Sequence, residues 1–544
     1  MTPATLDKTA AAPAEVAPSL AAAQLWPGDQ ADYARAFRYQ YAITAGREAY
    51  PGFTAHTLDA WTLWTGEGLP VARLDDISGA HIGWIIGVAV GEGGLVGPGA
   101  RLPFARDDGR FFDLLERFID DLAGRWGMLI VRAGQARFYC DPVGMIGAVY
   151  NPHTRRVAAS PLLAIDGAVE PNPLFDPADI AAGGRYGLFH TADSRVRRMN
   201  PNAWLDLSSF SETRYWPRED VFTALPEAPA ALYPMIAARA GHVIASLSRA
   251  YPCALPVSGG NDTRLILAFG REHLAQMAQV YTHVNNYAGR IDAAIGAQLA
   301  EAAGLTHDVH DHQHAKMRPW QVDRVTDMYR YASGLSGAPP NEYLNGNYRA
   351  LSDGHLILRG HQTDLLRAVF VFRADPKLWQ RYGWQIKRLG LVPPAAFSDA
   401  VRDRFLPDFA AWRATLPEVA EACPVDFMFL EVFSSATVGT MFPALWRNFY
   451  ISPYNSRALI ALSLRFDTPF RRACAPVHDL THLLNPRLAA VPYDYEGGDL
   501  RGQAFIDAVA DPTRWPALTQ NRRAKTEARL TQQEPSADRS EALG

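Results

Sequence analysis

Apolar and polar positions change period near the middle of the chain. From Tyr33 to about Trp216, short apolar runs are broken by glycine, as in HIGWIIGVAVGEGG and GMLIVRAGQARFYC, a pattern that predicts strands. One stretch, FFDLLERFIDDLAGRW, keeps a helical period. The expectation is an α+β domain over residues 29–220. The Pro-rich segment YWPREDVFTALPEAPAALYP then puts a boundary near residues 216–230. Beyond it Leu232, Ile236, Ala240, Val243 and Leu247 recur every three or four positions, which predicts a helix with one apolar face. CALPV follows as a short buried strand, then a helix from about Thr263, a strand at QVYTHV, a helix at IDAAIGAQLAEAAG closed by Gly304, and an apolar run LILRG before His361. Strands alternating with helices predict a parallel α/β sheet in a second domain, residues 230–515. Its later part, about 375–510, reads as mostly helical, ALIALSLRF included. Residues 1–28, rich in Ala and Pro without a period, are expected to form a disordered leader, and the polar residues 516–544 a mobile tail.

Composition narrows the function. With 48% hydrophobic and 20% charged residues over 544 positions, the chain is globular in character and long enough for more than one core. A net charge of -4 offers no excess of positive charge for a phosphate backbone, so nucleic acid is not an expected partner. The four cysteines, Cys140, Cys253, Cys423 and Cys474, lie far apart without a CxxC and read as reduced, packed thiols. No uninterrupted apolar run approaches the roughly 18 residues of a membrane span, and the first residues lack the pattern of a signal peptide, so a cytoplasmic protein with no membrane partner is expected.

The stretch ALPVSGGNDTRLILAFG carries the chemistry. A strand that ends in Ser-Gly-Gly and continues into a helix aims backbone N–H groups and a helix N-terminus outward, which suits an oxyanion. A phosphate loop of the GxxxxGK[ST] kind is a poor reading, because no lysine follows. The alternative is a strand–helix turn that uses glycine only to pack tightly. Ser258 adds a hydroxyl, Asp262 a carboxylate suited to magnesium, and Thr263 a hydroxyl in the first helical turn. As a set, Ser258, Gly259, Gly260, Asn261, Asp262 and Thr263 resemble the SGGxD[ST] pyrophosphate loop of the N-type ATP pyrophosphatases.

Within that superfamily the order of parts resembles the asparagine synthetase family, including β-lactam synthetase and the lasso-peptide cyclases. The resemblance implies a parallel-sheet ATP pyrophosphatase domain with a helical C-terminal part, preceded by an α+β glutamine amidotransferase-like domain of the Ntn type. RFYCDPVGMIGAVYNPHTRRVAASPLLA resembles that domain's D-x-x-G segment through Asp141 and Gly144. LRGHQTDLLRA resembles the family's second motif, S-G-x-G-[SG]-D-E: Gly360 and Asp364 match, Thr363 keeps a hydroxyl, and Gln362 departs from glycine. The resemblance implies ATP and Mg2+ as cofactors, with the metal on Asp262 and Asp364.

The departures shape the expected reaction. An active amidotransferase of this class uses a cysteine after the initiator methionine, whereas Thr2 stands here and no cysteine precedes Cys140, so glutamine hydrolysis is expected to be lost. His361, where the family has Glu or Tyr, is a candidate base, with a structural histidine as the alternative. Glu431 in DFMFLEVF is a candidate to orient it, and Lys525, spaced from Arg523 as in the family's R-x-K segment, a candidate to stabilise the acyl-transfer transition state. A buried helix Glu and a solvated tail lysine are the alternatives. Pro453 and Tyr454 match the family's acceptor segment, whereas Asn455 and Ser456 depart from it, and Phe442, Trp446, Phe449 and Tyr450 read as core. The expected activity is adenylation of a carboxylate, release of pyrophosphate and attack by an amine that the substrate supplies. The expected partners are a small molecule or peptide carrying both groups and a biosynthetic partner protein. A nucleotide-binding or scaffold pseudoenzyme is the alternative.

Overall fold

Strand alternation and glycine placement sort the first half into two sheets, antiparallel except for the parallel pairing of Val71–Asp75 with Ala100–Arg101. The computed structural model describes Trp26 and residues 30–46, 50–218 and 229–533; the expected leader, apart from Trp26, and residues 219–228 of the Pro-rich boundary lie outside the described residues. A six-stranded sheet is built around Tyr41–Ala45 and Trp61–Gly66, and an eight-stranded sheet around His81–Gly91, Ala123–Arg132 and Gln135–Cys140. Their inner faces share one core, where Tyr41 and Phe138 lie 5.6 Å apart between ring centres. The helix expected over FFDLLERFIDDLAGRW stops at Asp121, and AGRW opens the Ala123–Arg132 strand instead. Gly124 explains the early stop: its φ of +119° leaves the helical region, and a Cβ there would lie 2.3 Å from the Val88 carbonyl oxygen of the neighbouring strand.

The second half holds a five-stranded sheet in the order Asp308–Asp311, Gln279–Val284, Cys253–Pro256, Leu356–Leu358, Phe449–Ile451, and every pairing is parallel. The chain is therefore mixed α/β, with several sheets, one of them parallel, and many helices. Helices Pro229–Ala250, Asn261–Phe269 and Tyr287–Ala303 follow the expected pattern, the last ended by Gly304 in a left-handed conformation. Chain order places the first strand of the sheet, Cys253–Pro256, beside the fourth, Leu356–Leu358. That is the switch point at which open α/β sheets leave a crevice beyond the carboxyl ends of their strands.

The halves on either side of residues 219–228 are not separately packed. Both hydrophobic cores draw residues from each half. Asn455 Nδ2 donates to Asp141 Oδ1 at 2.8 Å, and Arg457 Nη2 donates to the carbonyls of Pro201 at 2.6 Å and Cys140 at 3.1 Å. The four cysteines are free, three of them buried.

Two expectations change. Residues 516–533, expected as part of a polar tail, belong to a helix, Trp515–Gln533, that docks on the second half. Arg522 explains the docking, donating to the Ala489 carbonyl at 2.6 Å and pairing with Glu496 at 2.9 Å, while Arg529 pairs with the buried Asp479. The remaining residues of that tail lie outside the described residues. Two helical stretches, Pro229–Ala250 and 424–444, are long and apolar enough to cross a membrane by length and composition. Of their apolar windows, 50% and 72% are buried inside the protein, as in core helices.

Candidate functional site

Two loops leave the carboxyl ends of the two strands at the switch point and meet there. The first, Ser258–Gly260, runs from Cys253–Pro256 into helix Asn261–Phe269; the second, Arg359–Gln362, runs from Leu356–Leu358 into a 3₁₀ turn, Thr363–Arg367. Glycine sets how closely they approach. A Cβ on Gly360 would lie 2.6 Å from Asp262 Cβ and 2.8 Å from the Asp262 carbonyl carbon, so only glycine lets the second loop rest on the first. A Cβ on Gly259 would meet Ile295 at 2.6 Å and Asp494 at 3.0 Å, whereas at Gly260 the nearest atom is Ser258 Oγ at 3.7 Å.

Between the loops and the strand Gln279–Val284 lies a cavity of about 470 Å³. Ser258, Asp262, Thr263, Gly360, His361 and Asp364 all line it. Within the first loop, Thr263 Oγ1 accepts from the Ser258 N–H at 3.2 Å and lies 3.3 Å from Ser258 Oγ. Thr363 ties the loops together, its hydroxyl oxygen 2.6 Å from the Gly360 carbonyl and 2.9 Å from Asp262 Oδ1, two acceptors that share its one proton. Asn261 is not part of the lining, and its Oδ1 accepts from the Tyr495 hydroxyl at 3.2 Å. The loop's donors are partly engaged already: the Gly259 N–H is 2.8 Å from Asp292 Oδ1, a carboxylate standing where an oxyanion would accept.

Asp262 and Asp364 share one cation. Arg367 Nη2 lies 2.9 Å from Asp262 Oδ2 and 2.5 Å from Asp364 Oδ1. Burial, and after it the charge of Asp262, pushes the Asp364 carboxyl up to about 7. Among the described residues no cluster of three or more His, Cys, Asp or Glu side chains is gathered as a metal site. The two facing carboxylates still fit a magnesium ion, which commonly takes one or two protein carboxylates and draws its other ligands from phosphate and water.

His361 lines the cavity with its ring edge-on to Phe442 at 5.4 Å. Its Nδ1 is buried and has no hydrogen-bond partner among the described residues. Burial, and then the Arg359 guanidinium, lower its pKa to about 3, so the imidazole is neutral and a weak base as the site stands. Gln362 takes a left-handed φ of 68°, and both polar atoms of its buried amide lack a partner. A left-handed backbone of this kind is one that glycine adopts without the cost a side chain brings.

The structure does not bring Glu431 or Lys525 into the cavity lining. Glu431 sits in a π-helical stretch, Met428–Ser434, fully buried, bound by Arg214 at 2.6 Å and 2.8 Å, by Trp412 Nε1 at 2.8 Å and by Asn202 at 3.0 Å. It therefore joins the two halves and does not orient His361. Lys525 lies on the exposed side of helix Trp515–Gln533 and is not part of the cavity lining.

Sequence reasoning missed the charged and imidazole groups Arg359, Glu342, Asp292 and His283 of the cavity and Arg367 beside them, and it read Tyr450, which also lines the cavity, as core. Arg359 and Arg367 flank the second motif and were legible as unusual charges there. Asp292, Glu342 and His283 arrive from separate elements and carry no local signal. No family model matches the chain, and no curated protein matches it.

Proposed function

We propose that the chain is an ATP-dependent, AMP-forming carbon–nitrogen ligase of the asparagine synthetase type, whose first half is a degenerate Ntn-type amidotransferase domain without glutaminase activity. The observation that carries the reading is the contact of Gly360 with Asp262, which joins the SGGNDT loop and the GHQTD loop into one site at the switch point of a parallel sheet.

In this reading a substrate carboxylate oxygen attacks the α-phosphorus of ATP, the α–β bridging P–O bond breaks, and pyrophosphate leaves. An amine of the substrate then attacks the acyl carbon, and AMP departs with the bonding pair. Backbone donors of Ser258–Asp262 bind the pyrophosphate, which takes the Gly259 N–H from Asp292. Asp262 and Asp364 would hold magnesium, whose divalent charge offsets that of the departing pyrophosphate. Adenine sits along Gln279–Val284. Arg359, lining the same cavity with no ion-pair partner among the described residues, faces the acyl region and draws an anionic substrate in. His361, held neutral, accepts a hydrogen bond from the incoming amine, and a substrate or phosphate oxygen carries the proton away.

Exchange of labelled pyrophosphate into ATP that depends on an added carboxylic acid tests the reading, with exchange expected to vanish in Asp262→Asn. Two observations favour a second reading, a nucleotide-binding or scaffold protein without turnover: Asp292 already satisfies a loop amide, and Arg367 the two carboxylates. ATP binding without exchange for any panel of carboxylates would decide for it.

A further inference from the structure

The place between Asp262 and Asp364, where the proposed reaction needs a divalent cation, already holds a cation belonging to the chain. Arg367 follows Asp364 by three residues in the Thr363–Arg367 turn, and its Nη2 bridges one oxygen of each carboxylate, while its Nε adds a longer contact of 3.3 Å to Asp262 Oδ1. The cluster is sheltered: the side chains of Arg367, Asp262 and Asp364 are 20%, 31% and 15% exposed. Thr363 fixes Asp262 from the other side at 2.9 Å. Asp494, across the first loop, also feels the Arg367 charge.

Even with both carboxylates ionised, the guanidinium leaves the cluster with at most a single negative charge, so a divalent cation entering alone meets a weak attraction and a like charge a few ångströms away. Phosphate changes that balance. A guanidinium fork can pair bidentately with phosphate, whereas here a single Nη2 is divided between two carboxylates, and the triphosphate carries enough negative charge to satisfy both Arg367 and the metal.

We propose that Arg367 is a positioning residue that acts as the resident counter-cation of the Asp262–Asp364 pair. It holds the two loops together when the site is empty and moves onto phosphate when nucleotide arrives, so that divalent cation enters only with the nucleotide. The inference rests on the reading of Asp262 and Asp364 as the metal pair.

Binding of Mn2+ to the full chain, followed by the paramagnetic resonance signal of the free ion, tests it without recourse to activity. In the absence of nucleotide, Arg367→Gln and the similarly packed Arg367→Met are expected to bind Mn2+ at least about tenfold more tightly than the wild type, because a unit charge beside the site is gone. Arg367→Lys, which keeps the charge, should bind as weakly as the wild type. With a non-hydrolysable ATP analogue present, the wild type is expected to gain tight binding and the gap to narrow, and Asp262→Asn should lose it. Equal Mn2+ affinity of wild type and both neutral variants without nucleotide, together with tight binding by all when the analogue is present, would overturn the role of Arg367 and leave the ligase reading standing. Absence of Mn2+ binding in every protein, with or without the analogue, would remove the metal pair and the inference with it. Circular dichroism of each variant separates these outcomes from misfolding, and either neutral variant suffices.

Discussion

Replacing Gly360 by alanine puts a methyl group at the one place where the two loops touch. The new Cβ would stand 2.6 Å from Asp262 Cβ, 2.8 Å from its carbonyl carbon and 2.9 Å from its carbonyl oxygen. Ordinary contacts between carbon atoms are about 3.5–4.0 Å, so the loops must part by roughly 1 Å. Two of the three atoms are backbone in the first turn of helix Asn261–Phe269 and cannot rotate aside. Gly360 has no positive φ, so the effect comes from contact alone. Overpacking of this kind costs about 1–3 kcal/mol, and a 1 Å displacement within a reacting site costs about a hundredfold in rate. Urea unfolding of Gly360→Ala should therefore lose about 1–3 kcal/mol, ATP affinity should fall, and pyrophosphate exchange should drop about a hundredfold. Gly260→Ala is the matched control. Its Cβ meets no protein atom closer than 3.7 Å, so its stability should stay close to wild type, whatever a methyl group does to pyrophosphate in the same loop. A Gly360→Ala protein with unchanged stability and nucleotide affinity, or a Gly260→Ala protein destabilised as badly, would refute the argument that the loops meet as described.

Glu431→Gln leaves Arg214 without its buried counter-charge and should cost about 3 kcal/mol or more in urea unfolding, while exchange per folded molecule is retained; a loss of exchange at unchanged stability would restore a catalytic role for Glu431. A pH test follows from Glu116, whose carboxyl burial pushes up to about 7 against the opposing pull of Arg137. Because the folded value lies above the unfolded one, its stabilising share is present below about pH 4.5 and is lost as the pH rises through about 7. Glu116→Gln should therefore match the wild type near pH 4.5 and exceed its stability by about 1–3 kcal/mol at pH 8, and equal unfolding curves at both pH values would exclude the shift.

Local sequence determined much of the architecture. The 3–4 residue spacing from Leu232 to Leu247, the CALPV and QVYTHV runs and the Gly304 stop are short-range signals, and each appears where its periodicity predicts. Ser258–Thr263 and Gly360–Asp364 were legible too, because backbone turns and hydroxyl positions depend on neighbours a few residues away. Long-range geometry was not. FFDLLERFIDDLAGRW reads as one helix, yet it ends at Asp121 because Gly124 packs on a strand that begins more than forty residues earlier in the chain. The polar residues after Trp515 read as a tail until Arg522 and Arg529 find Glu496 and Asp479 on other elements. Glu431 shows the same limit: its charge suggested chemistry, and only the fold set Arg214, Trp412 and Asn202 around it. Charge type and local turn geometry are written in the order of residues. Which charges face one another, as Arg367 faces Asp262 and Asp364, is decided by the packing of strands and loops distant in sequence, and no local pattern encodes it.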